Sequence, residues 1–148
     1  MTRQLYNNFG IFSLGIAFTS QAFGGPLSIP KALLIAPFIS HQALLDHLSR
    51  QSTVVSSIEK MLVQKTVCFS NFNARFYDGL CGSTNAIQFL VDVEFAELRP
   101  DGIEVLAAMV FDRRMGNRAE KVAKAAPRLA ALFQSSDADL YSALRIQL

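Results

Sequence analysis

The chain has 148 residues, of which 51 % are hydrophobic and 18 % charged, against a usual charged share of about 25 %. That length fits one domain able to bury its own core without disulfides, and the apolar content excludes a disordered tail. The formal net charge of +2 excludes an obvious polyelectrolyte binder.

Up to Ser49 the only charged residues are Arg3, Lys31 and Asp46. The uncharged start has three readings: a signal peptide ending near Ala22, a membrane span, or a helix buried on most of its circumference. Asn7, Asn8, Ser13, Thr19, Ser20 and Gln21 interrupt it too often for a span of about 20 apolar residues. Leu5, Phe9, Phe12, Ile16 and Phe23 form one helical stripe, and Ile11, Leu14, Phe18 and Ala22 form a second beside it. Two stripes imply either a partner surface or a very central helix.

Gly24-Gly25-Pro26 stops this helix, and Ser28-Ile29-Pro30 opens a second apolar one, which Pro37 should kink or divide. A short helix from Gln42 to Arg50 follows. Ser52 or Thr53 should cap the next, with Val54, Val55, Ile58, Met61 and Leu62 as its apolar positions. Ser70 should cap another, carrying Phe72, Phe76 and Leu80. Gly79 and Gly82 should break it, and Ser83 should start a separate helix. A turn at Arg99-Pro100-Asp101-Gly102 then leads into a strand-like run from Ile103 to Phe111. Asn117 with Glu120 resembles a capping box ahead of the stripe Val122, Ala126, Leu129 and Phe133, where Pro127 should bend or restart the helix. Ser136, Asp137 and Asp139 open a last short helix.

The order of helices, hairpin and helices gives the expected fold: one α+β domain over 1–148, mostly α-helical. It has a winged-helix-like core, with additional N- and C-terminal helices.

Charge is blocked rather than scattered. From Asp92 to Asp112 six carboxylates face only Arg99, a net of −5; from Arg113 to Arg128 six cations face only Glu120, a net of +5. The two blocks read either as solvated faces, pairing with each other, or as docking patches for oppositely charged partners. Between Phe76 and Leu98 there is no Lys or Arg, so the helix before the hairpin lacks the phosphate anchors that groove reading needs. The candidates for phosphate or acidic-partner contacts are therefore Arg113, Arg114, Arg118, Lys121, Lys124 and Arg128. A standalone DNA-binding regulator using this basic helix is the alternative reading.

No P-loop, His-Glu-x-x-His or Gly-x-Ser-x-Gly run is present. His41 and His47, six apart, do not share a helical face, and with Cys68 and Cys81 they lack zinc-finger spacing. Catalytic residues, cofactor and metal are accordingly expected to be none. Both cysteines are read as buried free thiols in a reducing cytoplasm, with one disulfide left open.

The run Leu5-Tyr6-Asn7-Asn8-Phe9, then Pro26 through His41, together with Asn71 to Gly102, resembles the middle component of three-component ABC-type defence systems, Lamassu systems among them. The likeness covers residues 5–110; the helices of 113–148 lie outside it. The resemblance implies a cytoplasmic, non-catalytic adaptor, with neither a membrane nor a small-molecule substrate. Its partners would be an SMC-like ABC ATPase and an effector, often a nuclease, in a hetero-oligomer, with DNA contacted indirectly. It also turns the apolar start into a structural helix, whose surface around Phe9, Phe12 and Phe18 is expected to be covered by a partner.

Overall fold

The computed structural model describes the backbone of residues 2–147 and the side chains of residues 9–147. Arg3, Leu5 and the Asn7-Asn8 start therefore lie outside the described side chains. The helices are α1 (Thr2–Phe23), α2 (Ile29–Ile39), α3 (Gln42–Ser49), α4 (Ile58–Gln64), α5 (Phe72–Asp92), α6 (Asn117–Leu132) and α7 (Asp137–Ala143). A hairpin of β1 (Ala96–Arg99) and β2 (Gly102–Val105) separates α5 from α6. With 66 % of the chain helical and one antiparallel hairpin, the class is α+β and mostly helical.

The double apolar stripe of α1 is explained by its position. Phe12, Ile16, Ala17 and Phe18 are all buried, as are Ser13, Thr19 and Ser20, because α5 and α6 pack on the helix and α2 and β2 also touch it. A helix enclosed this way needs no charged face. Among the described residues no helix is long and apolar enough to cross a membrane.

The core is rich in edge-to-face phenylalanine pairs. Phe38 of α2 meets Phe72 of α5, Phe133 after α6 and Phe69 at centroid distances of 5.0, 6.1 and 5.9 Å, the geometry favoured by ring quadrupoles. The C-terminal helices join this core. Tyr141 of α7 stacks edge-on to Phe76 and donates its hydroxyl to the Pro30 carbonyl at 2.7 Å. Burial, with Asp137 nearby, pushes its phenol up to about 12. At the start of α2, Ser28 accepts from Lys31 N–H and donates to Asp137 at 2.8 Å, so one cap also ties α2 to α7.

Several local expectations are corrected. α5 runs unbroken through Gly79 and Gly82. A Cβ on Gly82 would stand 3.0 Å from the Phe12 ring, and one on Gly79 would stand 3.1 Å from Ala36 Cβ. The two glycines thus admit neighbouring helices rather than end one. Pro37 and Pro127 stay inside α2 and α6; each ring removes one backbone donor from its helix without ending it. Residues 53–57 have no regular structure, and Ser57 rather than Ser52 or Thr53 caps α4, accepting from Lys60 N–H. Ser70 does not cap α5; its hydroxyl donates to Val67 O. Gly116, not Asn117, precedes α6, so no capping box forms. Ser136 does cap α7, accepting from Asp139 N–H at 3.1 Å.

The second strand ends at Val105 rather than Phe111. Beyond it the Gln21 side chain of α1 grips Met109, accepting from its N–H at 2.6 Å and donating to its carbonyl at 3.2 Å, which removes that backbone from a ladder. Leu27 and Ile103 exchange two backbone hydrogen bonds of 2.8 Å, so β2 is clasped to the α1–α2 connection.

Candidate functional site

The surface that carries charge is built mainly from α6 and its neighbours. α6 presents Val122, Ala125, Ala126 and Leu129 inward, which leaves Arg118, Lys121, Lys124 and Arg128 on the side facing α3 and the segment that follows it. Lys121 pairs with Asp46 of α3 at 2.6 Å, and Lys124 pairs with Glu120 one turn earlier at 3.1 Å. The Arg128 guanidinium donates to the carbonyls of Thr53, Leu48 and Lys124 at 2.9, 3.1 and 3.1 Å. It is fixed in place by neutral acceptors, and among the described residues no carboxylate meets its charge. Arg114 donates through two nitrogens to the two oxygens of Asp112, lowering that carboxyl below its usual range. Among the described residues Arg113 and Arg118 have no ion-pair partner. A cavity of about 380 Å³ opens beside Arg118, Lys121, Asp46 and Asn117.

The two charged blocks remain largely separate. Glu97 and Glu104 both turn to Arg99, at 3.5 and 2.5 Å, within the hairpin, and Asp92 accepts from Gln88 at 2.7 Å. Asp112–Arg114 is the one ion pair between the blocks among the described residues. Asp46 and Arg50, which lie outside both blocks in sequence, were missed as part of the basic surface. Only the packing of α3 on α6 brings them there.

The N-terminal aromatics divide. Phe12 and Phe18 are 4 % and 7 % exposed, so the partner surface expected there is corrected: α5 and the rest of the core cover them. Phe9 is half-buried and meets Phe89 edge-on at 5.2 Å; Phe89 itself is 43 % exposed. An exposed apolar margin therefore survives at Phe9 and Phe89; Val93, just after α5, and Leu98 of β1 are also exposed.

His41 caps α3, its Nδ1 accepting from Leu44 N–H at 3.2 Å. Burial, and then Arg75, lowers its pKa from 6.5. Burial also lowers that of His47, followed by Lys65, Arg50 and Arg128. Both cysteines are free; Cys68 is half-buried, but Cys81 is exposed, against the expectation that both are buried. Among the described residues no group of three or more His, Cys, Asp or Glu is placed to hold a metal ion.

The family model for the ABC-three component (ABC-3C) system Middle Component 3 matches residues 15–148. The chain belongs to that family. The matched range contains α6 and α7, so the helices of 113–148 are part of the family pattern, which corrects the 5–110 extent read from sequence. The Leu5-to-Phe9 run lies outside it. Neither a curated protein nor a solved structure matches the chain. As a Middle Component 3 protein, the chain is a component of an ABC-three component system and works with that system's other components.

Proposed function

We propose that the chain is a non-catalytic, cytoplasmic adaptor of a bacterial antiphage complex. It bridges an SMC-like ABC ATPase and an effector, a nuclease, and holds the effector inactive until foreign DNA is sensed. The observation that carries this reading is the family match over residues 15–148. Two features support it. The sequence holds no nucleotide-binding or hydrolytic motif, and the acidic hairpin and the basic α6 face are offered to the outside separately rather than spent on each other. Complementary charge of this kind sets orientation and encounter rate more than raw affinity. The proposed partner contacts are Phe9 with Phe89 on one side and Arg113, Arg114 and Arg118 on another. The differential affinity of the partners for two states of the complex supplies the switch.

Direct DNA binding by α6 is the weaker reading. Lys121 and Lys124 are already paired with carboxylates within the chain, which leaves few cations for the several phosphate contacts that affinity requires.

Co-expression of the ATPase and effector with and without this chain is the test. Effector should be retained on tagged ATPase only when the chain is present. Equal retention in its absence would overturn the bridging role.

A further inference from the structure

Between the end of α3 and the second half of α6 runs a groove of about 760 Å³, lined by Arg50, Gln51, Val55, Lys124, Pro127 and Arg128. Val55 belongs to the segment 53–57, which follows α3 without regular structure. Thr53, Val55 and Ser57 are half-buried, whereas Val54 and Ser56 are exposed, Val54 to 87 %. This two-residue alternation is that of an extended strand, and Ser57 is extended, at φ −160° and ψ 160°. Among the described residues, Val54, Val55 and Ser56 make no backbone hydrogen bond. A β-branched strand with open amide and carbonyl groups is a template for another strand.

The groove is also positively charged. Arg128 is pinned by three carbonyls, and Arg50 is exposed; among the described residues neither meets a carboxylate. Lys65 joins these two around His47, and all three lower its pKa. Against them, Glu120 is engaged by Lys124 and Asp46 by Lys121.

We infer that this groove docks an acidic, extended segment of a partner protein, which adds a strand to Val54–Ser56 and sets its carboxylates against Arg50 and Arg128. Nucleic acid would satisfy the cations but not the open strand, whereas an acidic strand satisfies both. The inference rests on the adaptor reading only for the expectation that a protein partner exists.

The test uses the purified full chain and a short fluorescein-labelled peptide of alternating glutamate and valine, read by anisotropy. Two further probes are the same peptide with alternate amides N-methylated and a labelled single-stranded DNA. The parent peptide should bind, and N-methylation should weaken it by about tenfold or more, since the strand's donors are lost. Arg50→Glu, with an unchanged melting curve, should cost about tenfold. Bound peptide should also move the His47 NMR titration upward, because its carboxylates offset the three cations. No binding of the parent peptide, equal binding of the N-methylated one, or tighter binding of DNA that depends on Arg50 would each overturn the inference. Because ATPase and effector are absent from this assay, its failure leaves the co-expression result standing on its own.

Discussion

Phe12 shows how one side chain can be misread from sequence and then explained. In a stripe without charges it reads as a surface to be covered; in the fold it fills the space over Gly79 and Gly82, with its ring 3.0 Å from where a Gly82 Cβ would stand. Its work is therefore in the stability of this chain alone. Phe12→Ala should lower unfolding stability by about 3–5 kcal/mol in urea titration, as large-to-small changes in tight cores do; a loss below about 1 kcal/mol would place Phe12 outside the core. The histidines give a second prediction at this scale. Both have folded pKa values lowered from 6.5, so the unfolded chain binds more protons as pH falls. Their contribution to stability is complete above pH 6.5 and is lost as pH falls through that value toward the lower folded pKa. Melting temperature should drop between pH 7.5 and 5.5, and His41→Asn with His47→Gln should flatten the slope. A melting temperature that rises over that interval would contradict the assignment, in which His41 accepts from Leu44 N–H and must be unprotonated at Nδ1 to do so.

At the scale of elements, the hairpin depends on one glycine. Gly102 has φ +145°, and a Cβ there would meet the Leu27 carbonyl oxygen at 2.1 Å, a backbone atom that has no rotamer to yield. Gly102→Ala should therefore cost about 1–3 kcal/mol and loosen the paired bonds between Leu27 and Ile103. Faster amide exchange at those two positions than in α2 is the check; unchanged protection would refute the clasp.

Much of the element plan was legible because amphipathic period and caps are local. The stop after Phe23, the Ser28 and Ser136 caps, the turn at Pro100–Asp101 and the inward stripe of α6 are all carried by neighbouring residues. What was not legible depended on distant ones. Gly79 and Gly82 read as breaks because nothing nearby tells of Phe12 and Ala36. The run after Val105 reads as strand because nothing nearby tells of Gln21. Val54 and Val55 read as helix because their period is too short to separate from an extended segment. The basic residues of the candidate site were found from charge alone, but their ion pairs with Asp46 and Glu120, and the carbonyls around Arg128, follow from α3 lying on α6.

At the scale of the whole molecule, the low charge content and mild net charge take on a specific meaning. The charge deficit before Ser49 is that of a central helix wrapped by its own chain. The acidic and basic blocks, which cancel in the total, face outward at different places and hold few bonds with each other. Outward blocks of opposite charge suit the proposed role of orienting neighbouring components, and the chain belongs to a middle-component family. The measurement that bears most directly on this is the mass of the chain when it is co-expressed with the proteins encoded beside it, taken by light scattering across a gel-filtration peak. The account predicts a hetero-oligomer in which ATPase, effector and this chain co-elute in fixed ratio. A lone species at 16.3 kDa, with the neighbours eluting elsewhere, would contradict it.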